Sequence, residues 1–427
     1  MPAPYHIAVL DEELAYPLNS GKRIRTWNLL SRCAERHRVT VLCHRNADAI
    51  EAEEAAKAYR AAGMEVIVVP RAVPKKEGAA FYARLAGNLL SSLPYTVETH
   101  SSPALARAVL DLFENDPPDV WHVEWTPYAQ VLKEGLGDRL ARVPWVVTAH
   151  NVETQIWTRY AENESNPLKR WYVRKQESKF ATFERWAFAA ATRSIAVSEL
   201  DAAVLRDRFQ AHEVEVIDNG VDVRHFRPQR DVERDPGNIL FLGSLDWRPN
   251  QDAVRMLLDV IFPQVKRNQP RASLSIVGRN PPEWMKGRIA SVAGASLHAN
   301  VADVRPFLHS CGVMAVPLRI GGGSRLKILE ALASATPVIS TKIGAEGLNL
   351  RSDRHLTIVE SEQEMIEALS QAIRDPDWHI GLADDGRRVV ARTYDWEPLA
   401  RKLGECWEAA EVEVATTPVP SEERDES

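Results

Sequence analysis

The sequence predicts a parallel α/β protein built as two Rossmann-like halves, and three observations carry that reading. Short apolar runs alternate with longer amphipathic stretches from one end to the other, the rhythm of β-α repeats. The 427 residues suit two domains of roughly 200 residues better than one core. The rhythm breaks near mid-chain at the turn-rich stretch IDNGVDVRHFRP and restarts after Pro228. The expected division is a first domain over 1–217, a second over 218–393, a final helix over 394–410 and an unfolded tail over 411–427.

In the first half, His6–Leu10, Val39–Cys43, Val66–Val69, Val120–Glu124, Trp145–Thr148, Ser194–Val197 and Val214–Ile217 read as strands, most of them separated by enough chain for a crossover helix. In a parallel sheet their carboxyl ends share one edge, where such folds bind ligands. Two titratable residues are delivered there, Glu124 in DVWHVEW and His150 in AHNVET.

The second half repeats the pattern with strands Ile239–Leu242, Ser273–Val277 and Gly312–Val316 and helices near Asn250 and Val304. The last strand runs into Gly321, Gly322 and Gly323, where a backbone without Cβ atoms can turn sharply and approach a ligand. Ser324 reads as the N-cap of a helix to about Ala335 that Pro337 stops, and Val338–Ser340 is the next strand. Arg325 and Lys327 fall in its first turn, where the macrodipole favours acids. Two cations, helix-start amides and glycine backbone together make a phosphate site. Glu330, the one carboxylate of that helix, is placed to accept hydroxyls nearby, and a phosphate beside a diol is a nucleotide. A plainer reading stands beside this: Lys327 and Glu330 at i, i+3 are also an ordinary surface pair.

Helices are expected at about Ser361–Ile373, opening on Ser361 and Glu364 at capping-box spacing, and at Gly381–Thr393. Trp396, Leu399, Leu403, Cys406 and Trp407 then recur at helical spacing.

Bulk properties narrow the class. A net charge of -6 leaves no excess of cations to cover a nucleic-acid backbone, so no nucleic-acid partner is expected. Cys33, Cys43, Cys311 and Cys406 form no CxxC pair and point to a reducing, cytoplasmic setting without structural zinc. The amino terminus enters an apolar strand without a signal-like segment, and no apolar run approaches the ~20 residues of a membrane span. Asp375-Pro376-Asp377 is a literal Asp-x-Asp, but it sits between two predicted helices and reads as a capping turn, so no metal ligands are assigned.

The glycine-rich stretch, with Arg325, Lys327 and Glu330, resembles the donor motif of the retaining glycosyltransferases of family 4, whose glycosyltransferase B fold has two Rossmann-like domains facing a cleft and a final helix crossing back to the first domain. The stretch from Asn219 to Pro228 resembles that family's interdomain segment. The family places Glu at both ends of its motif; here the second is Glu330 and the first position is Gly322. In FLGSLDWRPN, Ser244 and Pro249 stand where relatives have the Arg and Lys that hold the diphosphate, leaving Arg325 and Lys327 to supply the charge and Arg248 as a spare.

The resemblance further implies donor contacts at Gly21, Gly243, Gly278, Arg279 and Val304, a role for His150 beside the donor sugar, and Lys22, Arg23 and Glu124 on the acceptor side. Lys22, Arg23 and Arg25 are not expected to turn inward together. The implied donor is a nucleotide diphosphate sugar with no further cofactor, and the acceptor a carbohydrate or lipid-linked hydroxyl. Two other readings stay open: a degenerate transferase kept as a binding or scaffolding subunit, and a sugar-nucleotide epimerase of the same fold.

In LKRWYVRKQESKFATFERWAF, Lys169, Arg170, Arg174, Lys175 and Lys179 accompany Trp171, Tyr172, Phe180 and Trp186. Such a helix either packs its aromatics into the domain or touches the anionic inner face of the cell membrane.

Overall fold

Two parallel sheets organise the molecule. The computed structural model describes residues 4–70, 74, 78–229, 231–320 and 325–416. The chain divides into two units, one running to Asp218 and resuming at Ala400, the other Asn219–Leu399.

The first unit holds β1 (His6–Asp11), β2 (Arg38–His44), β3 (Glu65–Val69), β4 (Val120–Val123), β5 (Trp145–Ala149), β6 (Arg193–Ala196) and β7 (Val214–Val216). They lie in the order β3-β2-β1-β4-β5-β6-β7, and every ladder is parallel. The central strands are buried on both faces, which is why they read as unbroken apolar runs: β1 is IAVL between His6 and Asp11, all buried.

The second unit repeats the plan with β8 (Asp235–Leu242), β9 (Ser273–Gly278), β10 (Ala295–Ala299), β11 (Cys311–Val316), β12 (Val338–Thr341) and β13 (Thr357–Val359), ordered β10-β9-β8-β11-β12-β13 and again all parallel. In both sheets the strand order reverses beside the first strand, between β1 and β4 and between β8 and β11. Ligands bind at such switch points, off the carboxyl ends of the strands.

The structure departs from the sequence reading at several elements. β10 and β13 were not expected; both are edge strands, β10 a polar ASLHA with no apolar run and β13 only the three residues TIV. The helix expected at Gly381 begins at Pro376, because Asp375-Pro376 starts a new helix directly where the previous one ends. Ser361 caps that previous helix, its hydroxyl accepting from Glu364 N at 3.2 Å, while the Glu364 carboxylate reaches back one residue further than a capping box requires and accepts from Glu360 N at 3.0 Å.

The final helix, Trp396–Thr416, extends beyond Ala410, so residues 411–416 are helical where an unfolded tail was expected. An ion pair between Arg193 and Glu413 holds this extension to the first unit. Trp407 is fully buried there, its ring edge-on to His122 and His37 at 5.6 and 5.9 Å.

Candidate functional site

The second unit gathers the donor residues at its switch point. Gly243 follows β8 and Gly278 ends β9, and the two backbones touch: a Cβ on Gly278 would lie 1.9 Å from the Gly243 carbonyl oxygen. No other residue fits there. Gly243 is hemmed in likewise, since its Cβ would meet Asn250 Nδ2 at 2.7 Å and Lys327 Nζ at 2.9 Å.

Lys327 comes from the helix Leu326–Ala333 after β11 and reaches across the switch point to the turn after β8. Its ammonium donates to Asn250 Oδ1 at 2.9 Å and lies 4.9 Å from the Phe241 ring centroid. Asn250 in turn donates to the Ser244 carbonyl at 2.8 Å, and Arg279 reaches the Ser244 hydroxyl at 3.3 Å. Lys327 thus delivers a cation to the loop in which Ser244 and Pro249 replace charged residues. Burial first, then the neighbouring Arg325, pulls its pKa down to about 7, with Glu330 opposing. Burial pushes Glu330 up to about 7 against the pull of Lys327. Among the described residues the Glu330 carboxylate accepts no hydrogen bond.

Other donor positions are placed differently. Gly321, Gly322, Gly323 and Ser324 lie outside the described residues, and with them the expected cap. The helix starts one residue later than expected, with Arg325 at the cap position in the left-handed region, φ 51°. Arg325 is therefore ahead of the first turn. Nor is it free of a compensating carboxylate: its guanidinium pairs with Glu346 at 3.3 Å and donates to the Glu346 carbonyl. Arg248 is exposed at the start of the helix Arg248–Met256, and Val304 occupies the cap position of Arg305–Ser310.

In the first unit, Glu124 follows β4 and His150 follows β5. Glu124 turns inward and is 2% exposed. It accepts from Thr26 Oγ1 at 2.7 Å and lies 3.2 Å from both His150 Nε2 and His122 Nε2. Burial alone would raise its pKa, but His150, His122 and Arg25 outweigh that and hold it well below the usual carboxylate range. His122 is pushed down to about 4, chiefly by burial, and contacts Thr148 Oγ1 at 2.8 Å, so it is a neutral structural histidine.

Gly21 opens the helix Gly21–Cys33, which Ser20 caps. The three cations after it all turn inward, contrary to expectation. Lys22 Nζ donates to the buried Asp11 at 2.6 Å and lies 5.1 Å from the Trp125 ring centroid. Arg23 pairs with Glu13 and, at 2.6 Å, with Glu51. Arg25 is buried and donates to the Asp218 carbonyl at 2.6 Å. Burial of three cations is tolerated because carboxylates or carbonyls meet each one.

Sequence reasoning missed Asn250, Glu346, Asp11, Thr26 and Trp125. Only the acid run Asp11-Glu12-Glu13 at a strand end, opposite the basic run Lys22-Arg23, carried a signal in the sequence.

The helix Pro167–Ala190 divides its aromatics. Phe180 and Phe183 are buried, and Trp157 stacks on Phe180 at 6.0 Å. Leu168 and Trp171 are exposed, 78% and 53%, on the face that also carries the exposed Arg174, Lys175 and Arg185. No helix among the described residues is long and apolar enough to cross a membrane.

A family model described as Glycosyltransferase Family 4 matches residues 52–225, and one described as Glycosyl transferases group 1 matches residues 236–375. The chain is similar to the GDP-mannose-dependent alpha-(1-6)-phosphatidylinositol monomannoside mannosyltransferase of Mycobacterium tuberculosis, 25% identical over 218 residues, which are 46% of this chain and 56% of that protein. It thus spans little more than half the length of that relative. It is also similar to the MMP alpha-(1->4)-mannosyltransferase of Mycolicibacterium hassiacum, 24% identical over 287 residues, 64% of this chain and 67% of that protein. Among solved structures, sucrose-phosphate synthase from Thermosynechococcus elongatus superposes with a TM-score of 0.68 at 16% identity, covering 96% of this chain and 100% of that one. With a Glycosyltransferase Family 4 model matching its first half, a Glycosyl transferases group 1 model matching its second, and two Rossmann-like parallel sheets of the glycosyltransferase B fold, the chain is similar to glycosyltransferases of the family 4 type along most of its length.

Proposed function

We propose that the protein moves a sugar from a nucleotide diphosphate sugar to an acceptor hydroxyl with retention of anomeric configuration. The observation that carries this is Lys327: an ammonium held by Asn250 beside Gly243, at the switch point of the second sheet, with its charge discouraged by burial until an anion arrives. On this reading the diphosphate lies against Lys327 and Arg325, and Glu330 takes the ribose hydroxyls.

The bond from the anomeric carbon to the phosphate oxygen breaks while the acceptor oxygen bonds the same face of that carbon. The acceptor proton passes to the departing phosphate oxygen. Lys327 and Arg325 act where negative charge grows, so they lower the barrier beyond their effect on ground-state binding. The reading gives this charge no metal partner. His150 is assigned to a hydroxyl of the donor sugar. The two mannosyltransferase relatives make GDP-mannose the first donor to assay. They also support a lipid-linked or carbohydrate acceptor, and with it peripheral contact at the inner membrane face through the exposed side of Pro167–Ala190.

The test is a thermal-shift panel of nucleoside diphosphates, followed by donor turnover with the best binder, with excess EDTA and with manganese. A ligand at a hundred times its Kd adds about 2.7 kcal/mol to stability, a readable shift. Nucleotide binding without turnover of any donor would favour the scaffolding subunit, and activity lost to EDTA and restored by manganese would overturn the assignment of the phosphate charge to the two cations.

A further inference from the structure

We propose that Glu124 is a positioning residue for His150, selecting the ring tautomer that leaves Nδ1 as a hydrogen-bond acceptor for a ligand hydroxyl. The proposal rests on the reading of His150 as a sugar-side residue.

The geometry points to it from three sides. The Glu124 carboxylate is buried and both of its oxygens are engaged: Oε1 by Thr26 Oγ1 at 2.7 Å and by His150 Nε2 at 3.2 Å, Oε2 by His122 Nε2 at 3.2 Å. A carboxylate can only accept, so a ring nitrogen turned toward it carries the proton. His150 Nε2 is itself buried, and among the described residues Glu124 Oε1 at 3.2 Å is the acceptor it faces. Neutral imidazole has one N–H, so a proton on Nε2 leaves the lone pair on Nδ1. Nδ1 makes no hydrogen bond among the described residues.

Thr26 and the neutral His122 hold the carboxylate in place, and Trp407 closes over His122. Glu124 therefore acts at one remove, as the orienting carboxylate does behind a catalytic or metal-bound histidine. A group so arranged takes a hydroxyl and disfavours a ligand atom that can only accept. Exchanging Glu124 for Met removes that acceptor, and the ring then loses its bias toward the Nε2–H tautomer; an amide is no substitute, because its oxygen accepts from Nε2 as the carboxylate does.

The experiment is nitrogen-15 NMR of histidine-labelled protein, comparing the parent with E124M and assigning His150 by H150A. The parent is expected to show the Nε2–H tautomer and E124M a mixture of the two. A parent in the Nδ1–H form, or a tautomer unchanged in E124M, overturns the proposal. If E124M does not fold, the parent spectrum still decides against the proposal if it shows Nδ1–H.

Hydrolysis of GDP-mannose and UDP-glucose gives the second readout. E124M should lower kcat about tenfold to a hundredfold at unchanged donor KM, the loss typical of an orienting partner. In the H150A background the same exchange should cost nothing more; an equal loss there would show that Glu124 does not act through His150. A tautomer set by Glu124 together with unimpaired turnover in H150A would instead retire the sugar-side reading of His150, and the positioning role with it.

Discussion

Lys327 Nζ sits 2.9 Å from Asn250 Oδ1 and 4.9 Å from the centre of the Phe241 ring, a cation held by an amide and an aromatic face with no carboxylate within ion-pair distance among the described residues. With its pKa drawn down to about 7 by burial, it loses charge in the ligand-free protein as pH rises through neutrality. A bound diphosphate restores the charge, so binding takes up a proton. Nucleoside diphosphate affinity should fall as pH rises from 7 to about 9, beyond the phosphate's own second ionisation near 6. Calorimetry of GDP and UDP across that range checks it. Lys327→Met should flatten the profile and weaken binding by about 1.5–3 kcal/mol.

The same exchange should stabilise the ligand-free protein. Between about 7 and the ordinary value of 10.5 the folded chain holds fewer protons on Lys327 than the unfolded chain, so its destabilising effect is largest at and below pH 7 and fades as pH rises toward 10.5. Glu330 works in the opposite direction: raised from 4.5 to about 7, it contributes stability that is fully present below 4.5 and is lost as pH rises through 7. Urea denaturation at pH 7 should show Lys327→Met above the parent, with the gain shrinking by pH 10.

Arg325 holds a left-handed backbone conformation at a helix start, which costs a non-glycine residue about 1–2 kcal/mol. Arg325→Gly should accordingly be more stable than Arg325→Ala by about 1 kcal/mol in urea denaturation. Both should lose nucleotide affinity and turnover alike, since both lose the guanidinium. Equal stability of the two would mean that Arg325 does not keep this backbone conformation.

Glu330→Ala and His150→Ala should separate nucleotide from sugar. Loss of Glu330 should weaken nucleoside diphosphate binding while leaving pyrophosphate binding nearly unchanged, because its assigned partner is the ribose. His150→Ala should leave the diphosphate Kd within about twofold and lower turnover, a loss that appears in kcat as a missing transition-state contact does. Should both variants bind GDP and UDP as the parent does and turn over at its rate, the site lies elsewhere.

The exposed side of Pro167–Ala190 should bring the protein to anionic vesicles at low salt and release it as salt screens Arg174, Lys175 and Arg185. Trp171 fluorescence and co-sedimentation read this out. Trp171→Ala with Arg174→Glu should abolish it without affecting stability by more than about 0.5 kcal/mol, since neither residue is buried. Equal recovery with neutral vesicles would remove the electrostatic contact.

What the sequence revealed follows from what is local. The central strands were legible because burial on both faces leaves an unbroken apolar run, whereas in ASLHA of the edge strand β10 polar residues break the run, and TIV in β13 is too short to stand out. Lys327 was legible as a cation out of place at a helix start, but its partner Asn250 lies 77 residues away and the pair exists only in the fold. Arg25 was misread because a cation beside other cations looks solvated. Its partner is a backbone carbonyl, which no residue type announces. Glu124 was identified at its strand end, yet the hydroxyl that turns it inward belongs to Thr26, 98 residues earlier.

The first unit is interrupted: its chain leaves at Asp218 and returns at Ala400. Trp407, against His122, is therefore made after every residue of the second unit. A chain cut at Leu399 therefore holds the whole second unit while the first lacks its last helix, the reverse of an amino-terminal-first order. In such a chain the apolar seat of Trp407 and the Glu124 cluster behind it stay open to water. A protein truncated after Leu399 should thus show protease resistance in 219–399 and lose it in the earlier residues. The half of the molecule begun first is the half finished last.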